Sequence, residues 1–125
     1  MNKTLDKFTK AYIEAALWSS TTDDGKPLDD DYSINDIDPE SIIRMDQDCQ
    51  IFQYMGRDLL DKAKEKGRDE EEQGHDFWMT RCGHGVGFWD RNLGEVGDKL
   101  TEICHQFGEV NLYVGDTNII HCEMG

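Results

Sequence analysis

Residues 75–91 constrain the fold more than any other part of this 125-residue chain. The stretch reads His-Asp-Phe-Trp-Met-Thr-Arg-Cys-Gly-His-Gly-Val-Gly-Phe-Trp-Asp-Arg and holds two of the three tryptophans and three of the twelve glycines. Gly83 followed by His84 suits a two-residue type II′ turn, in which glycine takes the first position. Strands on either side of that turn would place Trp78 directly opposite Trp89, a stabilising cross-strand pair. The pattern therefore predicts a tight β-hairpin, largely apolar on both faces, at the centre of the fold.

The remaining segments predict a single α+β domain around this hairpin. The predicted elements are a helix over 4–18 capped by Thr4, an irregular acidic loop over 19–37, a long helix over 38–66, a charged connector over 68–74, the hairpin over 75–91, a helix over 92–107 and a C-terminal hairpin over 109–122. The long helix has the clearest signals, because Asp38 is a good N-cap, Pro39 suits the first helical position and Gly67 suits the stop. Gly56 inside it would permit close packing by another element. The order α-α-β-β-α-β-β indicates about three helices and a roughly four-stranded antiparallel sheet.

The charge of the chain is strongly unbalanced, with 27 acidic against 13 basic residues and a formal net charge of −14. Such a surface argues against direct nucleic-acid binding and against binding to anionic membranes. It is compatible with simple solubility, with a cationic partner, or with imitation of a polyanion. The predicted partner-binding acidic surface consists of Asp23, Asp24, Asp29, Asp30, Asp31, Asp36, Asp38, Glu40, Asp46, Asp48, Asp69, Glu70, Glu71 and Glu72.

The central hairpin also supports an alternative interpretation as a ligand site. Two opposed tryptophans would supply an aromatic wall, and a few polar groups beside it would fix the orientation of a small molecule. The candidate residues are His75, Asp76, Trp78, His84, Trp89, Asp90 and Arg91. The competing interpretation is a purely structural hairpin, in which Asp76 forms an ion pair with Arg91.

The histidines and cysteines do not follow an established metal-binding spacing. Thiolate pairs such as Cys82 with His84, or Cys104 with His105, are disfavoured because acidic surroundings raise a thiol pKa. Residues 29–40 match the offsets of a calcium-binding EF-hand loop, but Ile34 stands where that loop requires glycine. The prediction is therefore no catalytic residue, no metal and no cofactor. Irregular cysteine spacing, no signal peptide and no apolar run of membrane length favour reduced thiols in the cytoplasm.

Residues 74–91 resemble a group of small acidic proteins encoded by bacteriophages and mobile elements. The resemblance extends more weakly to residues 16–21, 32–34 and 112–116. It implies a phage-type accessory protein in the host cytoplasm and carries over no catalytic role. Relatives have Asn where this chain has Cys82, which further weakens the zinc and thiolate interpretations.

These observations favour a non-enzymatic binding protein made during phage infection. It is predicted to engage a basic surface of a host nucleic-acid-handling or defence protein as a DNA mimic, and so to act as an anti-defence inhibitor. The alternative is a small-molecule-binding or catalytic domain that uses the hairpin. A scaffold oligomer is a third possibility, and the sequence predicts no particular oligomeric state.

Overall fold

The computed structural model describes residues 5–22, 24–82, 88 and 93–124. Within these ranges the chain forms five α-helices and one two-stranded antiparallel sheet. The helices are α1 (Lys7–Ser19), α2 (Pro39–Met55), α3 (Arg57–Glu65), α4 (Glu70–Cys82) and α5 (Glu95–His105), and the strands are β1 (Val110–Val114) and β2 (Ile120–Met124). The predicted α+β fold with three helices and a four-stranded sheet is therefore wrong, because this part of the chain is mainly helical. None of these five helices combines the length and apolar character needed to cross a bilayer.

Helix α4 occupies the place of the first predicted hairpin strand. Its start is fixed by a reciprocal capping box, in which the Asp69 carboxylate accepts from the Glu72 backbone N–H at 2.9 Å. The Glu72 carboxylate in turn accepts from the Asp69 N–H at 3.2 Å. Three glutamates in the first turn also complement the positive end of the helix dipole. The acidic run predicted as a connector is thus the beginning of a helix.

The burial of α4 explains why its sequence resembled a strand. Nearly every side chain from Gln73 to Arg81 is buried, so the second half of the helix has no face that is exposed to solvent. In a helix that is buried on all sides, apolar residues no longer recur with a period of 3.6 residues. Its sequence then looks like that of a strand that is buried on both faces. The first predicted hairpin strand is wrong, because Trp78 and Asp76 lie on a helix. Their predicted partners Trp89 and Arg91 lie outside the described ranges, so the contacts of Trp78 with Trp89 and of Asp76 with Arg91 stay predictions. Residues 83–87 and 89–92 lie outside the described ranges.

Helices α1 and α4 pack closely against each other. They approach each other very closely at Gly74, where an added Cβ would overlap the carbonyl oxygen of Phe8 and lie 2.9 Å from its carbonyl carbon. Aromatic rings fill the core beside this crossing, with Phe52 and Phe77 stacked at a centroid distance of 4.1 Å. The ring centroids of Tyr12 and Phe77 are 5.0 Å apart. The stretch containing Gly74 and Phe77 is therefore central to the fold, but as a helix.

The other predicted helices are present with altered boundaries. The helix predicted over 4–18 is α1, which is capped by Asp6 through Thr9 N–H at 2.8 Å, and the predicted cap Thr4 lies outside the described ranges. The helix predicted over 92–107 is the shorter α5.

The predicted 38–66 helix is divided in two. Asp38 caps α2 with Pro39 in its first turn, as predicted, and Gly67 follows α3 at a φ of +101°. The division is at Gly56, where a Cβ would lie 3.2 Å from Leu100 of α5, so the predicted close packing at this glycine is confirmed.

The acidic loop over 19–37 is held firmly against this helical body. It contains two single-turn 3₁₀ helices, Leu28–Asp30 and Ile34–Asp36. Its main anchors are the buried side chains of Leu28 and Ile37, while Tyr32 is half-buried. Ile34, by contrast, is 38% exposed. The sequence missed Leu28 because Pro27 and the acids around it suggested only a turn.

The C-terminal hairpin predicted over 109–122 is present as β1 and β2, with Leu112 opposite Cys122. It is joined to the start of α2 by two hydrogen bonds. The Asp38 N–H donates to the Ile120 carbonyl at 2.8 Å, and the Cys122 N–H donates to the Ser41 hydroxyl at 3.0 Å. The hairpin therefore closes one side of the helical core.

Candidate functional site

The structure describes three of the seven residues that were predicted as a ligand site, and two of these three are buried. Trp78 is fully buried, and its ring N–H donates to the Ser19 hydroxyl at 2.8 Å. Asp76 is also buried and accepts hydrogen bonds from Arg68 at 2.9 and 3.0 Å. His75 is half-buried, and its ring centroid lies 6.1 Å from that of Trp18. The four remaining candidates lie outside the described ranges, and their ligand-binding role stays a prediction: His84, Trp89, Asp90 and Arg91.

Two of the predicted surface acids, Asp48 and Asp46, have structural roles, and Asp48 is paired with a buried arginine. The Arg81 guanidinium donates to Asp48 at 2.8 Å and to the Tyr12 hydroxyl at 2.9 Å. It also donates to the backbone carbonyls of Phe107 and Gly108. Asp46 is buried as well and accepts from Gln50 at 3.2 Å. The structure therefore does not place Asp46 and Asp48 on an exposed acidic surface.

The acids of the 24–40 segment divide into structural and exposed groups. Asp36 and Asp38 are half-buried and accept hydrogen bonds from the backbone N–H groups of Ser33 and Ser41. The exposed acids of this segment are Asp24, Asp29, Asp30, Asp31 and Glu40. Over the described ranges, no lysine or arginine lies within 4.0 Å of these five carboxylates. Asp23, the remaining predicted acid of this segment, lies outside those ranges.

The acids at the start of α4 are more fully paired. Glu70 forms an ion pair with Lys64 at 2.7 Å, and Glu72 forms one with Arg68 at 2.7 Å. Asp69 is exposed and serves as the helix cap. Glu71 is exposed and has no ion-pair partner in the part of the chain that the structure describes.

Three neighbouring clefts connect the exposed acids. The first, of about 660 Å³, lies between the acidic loop and β1, with Asp24, Asp31 and Tyr32 in its wall. The second, of about 390 Å³, has Tyr32, Asp29 and Glu14 in its wall. Tyr32 thus borders the first two clefts, and Glu14 borders the second and third. We call the surface that runs along these clefts the acidic face. It is defined by the cleft-lining acids Asp24, Asp29, Asp31, Glu14, Glu71 and Glu72, together with the exposed Asp30 between Asp29 and Asp31.

The third cleft, of about 450 Å³, lies between α1 and α4, and we call it the Trp18 groove. It is lined by Ala11, Glu14, Ala15, Trp18, Arg68, Glu71, Glu72 and His75. Trp18 is 58% exposed, which is unusual for a tryptophan. Trp18 and Glu14 were not predicted as site residues from the sequence. The sequence did contain one indication of this pair, because Glu14 and Trp18 are four residues apart, and that spacing places both on the same face of α1.

The acidic face also carries three cations. Lys26 lines the first cleft, Lys10 the second and Arg68 the third. The charge of Arg68 is already neutralised within the protein, because its guanidinium donates hydrogen bonds to the carboxylates of Asp76 and Glu72. The seven acids that define the face therefore outnumber these three cations.

The cysteines show no sign of a reactive thiolate. All four are free thiols, and burial raises the pKa of Cys82 to about 12. Burial also raises the pKa of Cys122 to about 12 and that of Cys104 well above its usual range. Within the described ranges, no group of three or more His, Cys, Asp or Glu side chains is arranged to hold a metal ion. The raised pKa values keep these thiols in the protonated, weakly nucleophilic form at neutral pH.

No family model, curated protein or solved structure matches this chain. The acidic loop and the Trp18 groove are therefore interpreted from their own chemistry. Both are surface features that present unpaired carboxylates, and they are joined through Glu14.

Proposed function

We propose that this protein is a non-enzymatic binding protein whose acidic face engages a basic, nucleic-acid-binding surface of another protein. The observation that carries the proposal is the run Asp29, Asp30 and Asp31. All three side chains are exposed, and within the described ranges no cation is paired with them. Carboxylates left unpaired in this way are available to a partner's lysines and arginines.

The loop that carries these acids is fixed in place. The Leu28 N–H donates to the Ser20 carbonyl at 2.9 Å, and the Tyr32 N–H donates to the Leu28 carbonyl at 2.9 Å. Leu28 itself is buried in the core. A pre-ordered loop loses little conformational entropy on binding, so more of the electrostatic attraction contributes to affinity. Fixed charges of this kind are what imitation of a nucleic-acid backbone requires.

The proposed partner is a host protein that handles nucleic acid or takes part in defence, in the host cytoplasm. This part of the proposal rests on the resemblance of residues 74–91 to phage-encoded proteins. The protein would inhibit by occupying the surface that normally holds phosphates, without binding nucleic acid itself. Because exposed charges are screened over about 10 Å at 0.1 M salt, the interaction should weaken strongly as salt is raised.

The test is affinity capture from bacterial lysate with three matched baits. The first is the unmodified chain, and the second carries Asp29→Asn, Asp30→Asn and Asp31→Asn. The control bait carries Asp61→Asn, Glu65→Gln and Glu102→Gln, which remove the same charge from exposed positions on α3 and α5 that line none of the three clefts. Captured proteins are identified by mass spectrometry at 50 mM and 500 mM salt, with and without competing duplex DNA.

The proposal expects a protein that the unmodified and control baits retain, that the loop variant loses, and that high salt and duplex DNA both release. A partner that is retained equally by the loop variant, or that duplex DNA does not release, would refute it. The control bait separates the position of the charges from the total charge.

A second candidate function, self-association, is favoured by the outer face of α2. Its exposed apolar side chains are Ile43, Ile51, Tyr54 and Met55, with Tyr54 72% exposed. Exposed apolar side chains grouped on one helix are typical of protein interfaces. Ile51→Glu should convert a dimer to a monomer in light-scattering measurements, and a monomeric mass for the unmodified chain would exclude this candidate.

A further inference from the structure

We infer that the Trp18 groove binds the guanidinium group of an arginine side chain presented by the partner. The inference rests on the proposed function in one respect, since the arginine is taken to belong to the same basic surface that meets the acidic loop. It goes further because it assigns a specific pocket and a specific side chain. The groove and the loop are adjacent, with Glu14 bordering both.

The groove exists because small residues line the crossing of α1 and α4. Gly74 lets the two backbones approach closely, and on the α1 side Ala11 and Ala15 leave space that larger side chains would fill. Trp18 lies one helical turn beyond Ala15 and adds a flat aromatic surface. The volume of about 450 Å³ falls within the usual range for ligand sites, roughly 300–1,000 Å³.

The charges of the groove favour a cation. Glu14, Glu71 and Glu72 line it, against the single permanent cation Arg68. Arg68 is held by the buried Asp76 at 2.9 Å and by Glu72 at 2.7 Å, so it is already compensated. Glu14 and Glu71 have no ion-pair partner in the described part of the chain. An anion would face these two carboxylates, whereas a cation would be attracted by both.

The aromatic surface favours arginine over lysine. The Trp18 and His75 rings are tilted by 45° with centroids 6.1 Å apart, so the histidine does not stack over the indole face. A planar guanidinium can stack on that face and still donate two parallel hydrogen bonds to a carboxylate. A lysine ammonium offers a compact, strongly hydrated charge without that planar geometry. The groove thus combines a largely exposed indole with carboxylates in the same lining, which suits a guanidinium.

The direct test is an NMR titration of the full chain with acetyl-triarginine amide at 50 mM salt. Acetyl-tricitrulline amide is the neutral control peptide, and acetyl-trilysine amide tests the choice of cation. The largest chemical-shift changes should be at the Trp18 indole N–H and at the backbone amides of Ala11, Ala15 and Glu71. Citrulline should produce no saturable shifts, and lysine should bind more weakly than arginine.

Variants then locate the binding site. Trp18→Ala and Glu71→Gln should each weaken triarginine binding by about fivefold, the size expected of one cation–π or charged contact at an exposed site. Trp18→Phe should retain part of the affinity. Glu102→Gln, which alters an exposed acid outside the groove, should leave it unchanged. Equal affinity for Trp18→Ala and the unmodified chain, or equal binding of arginine and lysine peptides, would overturn the inference.

The same variants distinguish failure of this inference from failure of the proposed function. If the partner depends on Asp29, Asp30 and Asp31 but binds Trp18→Ala normally, the groove assignment is wrong and the proposed function stands. If triarginine binding depends on Trp18 but no partner depends on the loop acids, the proposed function is wrong. Thermal melting of each variant checks that the fold is intact, which is expected because Trp18 and Glu71 are exposed.

Discussion

Replacement of Gly74 by alanine tests the helical assignment of α4, because the sign of the change in the free energy of unfolding depends on that assignment. In an exposed helix interior, Gly→Ala stabilises by about 1 kcal/mol because alanine has the higher helix propensity. In an exposed connector before a hairpin, the change should be close to neutral, within about 0.5 kcal/mol. At the crossing of α1 and α4, the new methyl group would overlap the Phe8 carbonyl oxygen and lie 3.2 Å from the Ala11 Cβ.

The clash at Gly74 is with backbone, so a side-chain rotation cannot relieve it. Overpacking of this kind costs about 1–3 kcal/mol or more. Because the helices must separate, we place the cost at the upper end, which exceeds the propensity gain and leaves a net loss of about 2 kcal/mol. For a domain of this size that corresponds to a fall in melting temperature of roughly 8 °C. The assay is urea unfolding followed by circular dichroism, with a thermal melt as a second measurement.

Gly56→Ala provides the matched control. Its added Cβ would lie 3.2 Å from the end of the Leu100 side chain, a contact that a shift of a few tenths of an ångström relieves. We therefore expect a change of less than about 1 kcal/mol in either direction. If Gly74→Ala proved neutral or stabilising by about 1 kcal/mol, the close crossing of α1 and α4 would be wrong, and the groove built on it would lose its basis.

Two further predictions address the buried polar groups. Arg81→Met should lower the free energy of unfolding by about 3–5 kcal/mol, because Asp48 loses its ion-pair partner; a loss below about 1 kcal/mol in urea unfolding would contradict this. The raised thiol pKa values of Cys82 and Cys122, about 12 against an ordinary 9, favour the protonated folded state. Their stabilisation is complete below pH 9 and is lost as pH rises towards 12, so a double Cys→Ala variant should lose less stability than the unmodified chain between pH 9 and 11.

The parts of the fold that the sequence predicted are those set by local rules. Asp38 and Pro39 begin a helix through hydrogen bonding and a fixed φ, and Gly67 ends one through its positive φ. The C-terminal hairpin follows from alternation and a turn. None of these depends on distant residues.

Helix α4 was missed because tertiary burial removed its periodicity. Gln73 and Arg81 are both buried, and each is satisfied by groups from other elements. A single sequence shows two apolar faces at this point, and the glycines that follow supplied a convincing turn. The signal that was available is the capping box of Asp69 and Glu72, which the charge run concealed.

The sequence predicted which acidic residues are abundant, but it did not predict how the structure arranges them. The sequence correctly marks Asp29 to Asp31 as charged loop residues, and the structure shows that they are exposed. It does not reveal that Asp48 pairs with Arg81, 33 residues away. Nor does it reveal the Trp18 groove, which depends on how closely α1 and α4 pack.

The central claim is that the acidic face takes the place of nucleic acid on a basic partner. The most direct measurement is fluorescence anisotropy of labelled duplex DNA bound to the captured partner, with the protein added as competitor. The unmodified chain and the Asp61, Glu65 and Glu102 control variant should displace the DNA at equal concentrations, and the Asp29, Asp30 and Asp31 variant should fail to displace it. Formation of a ternary complex, or equal displacement by the loop variant, would contradict the account.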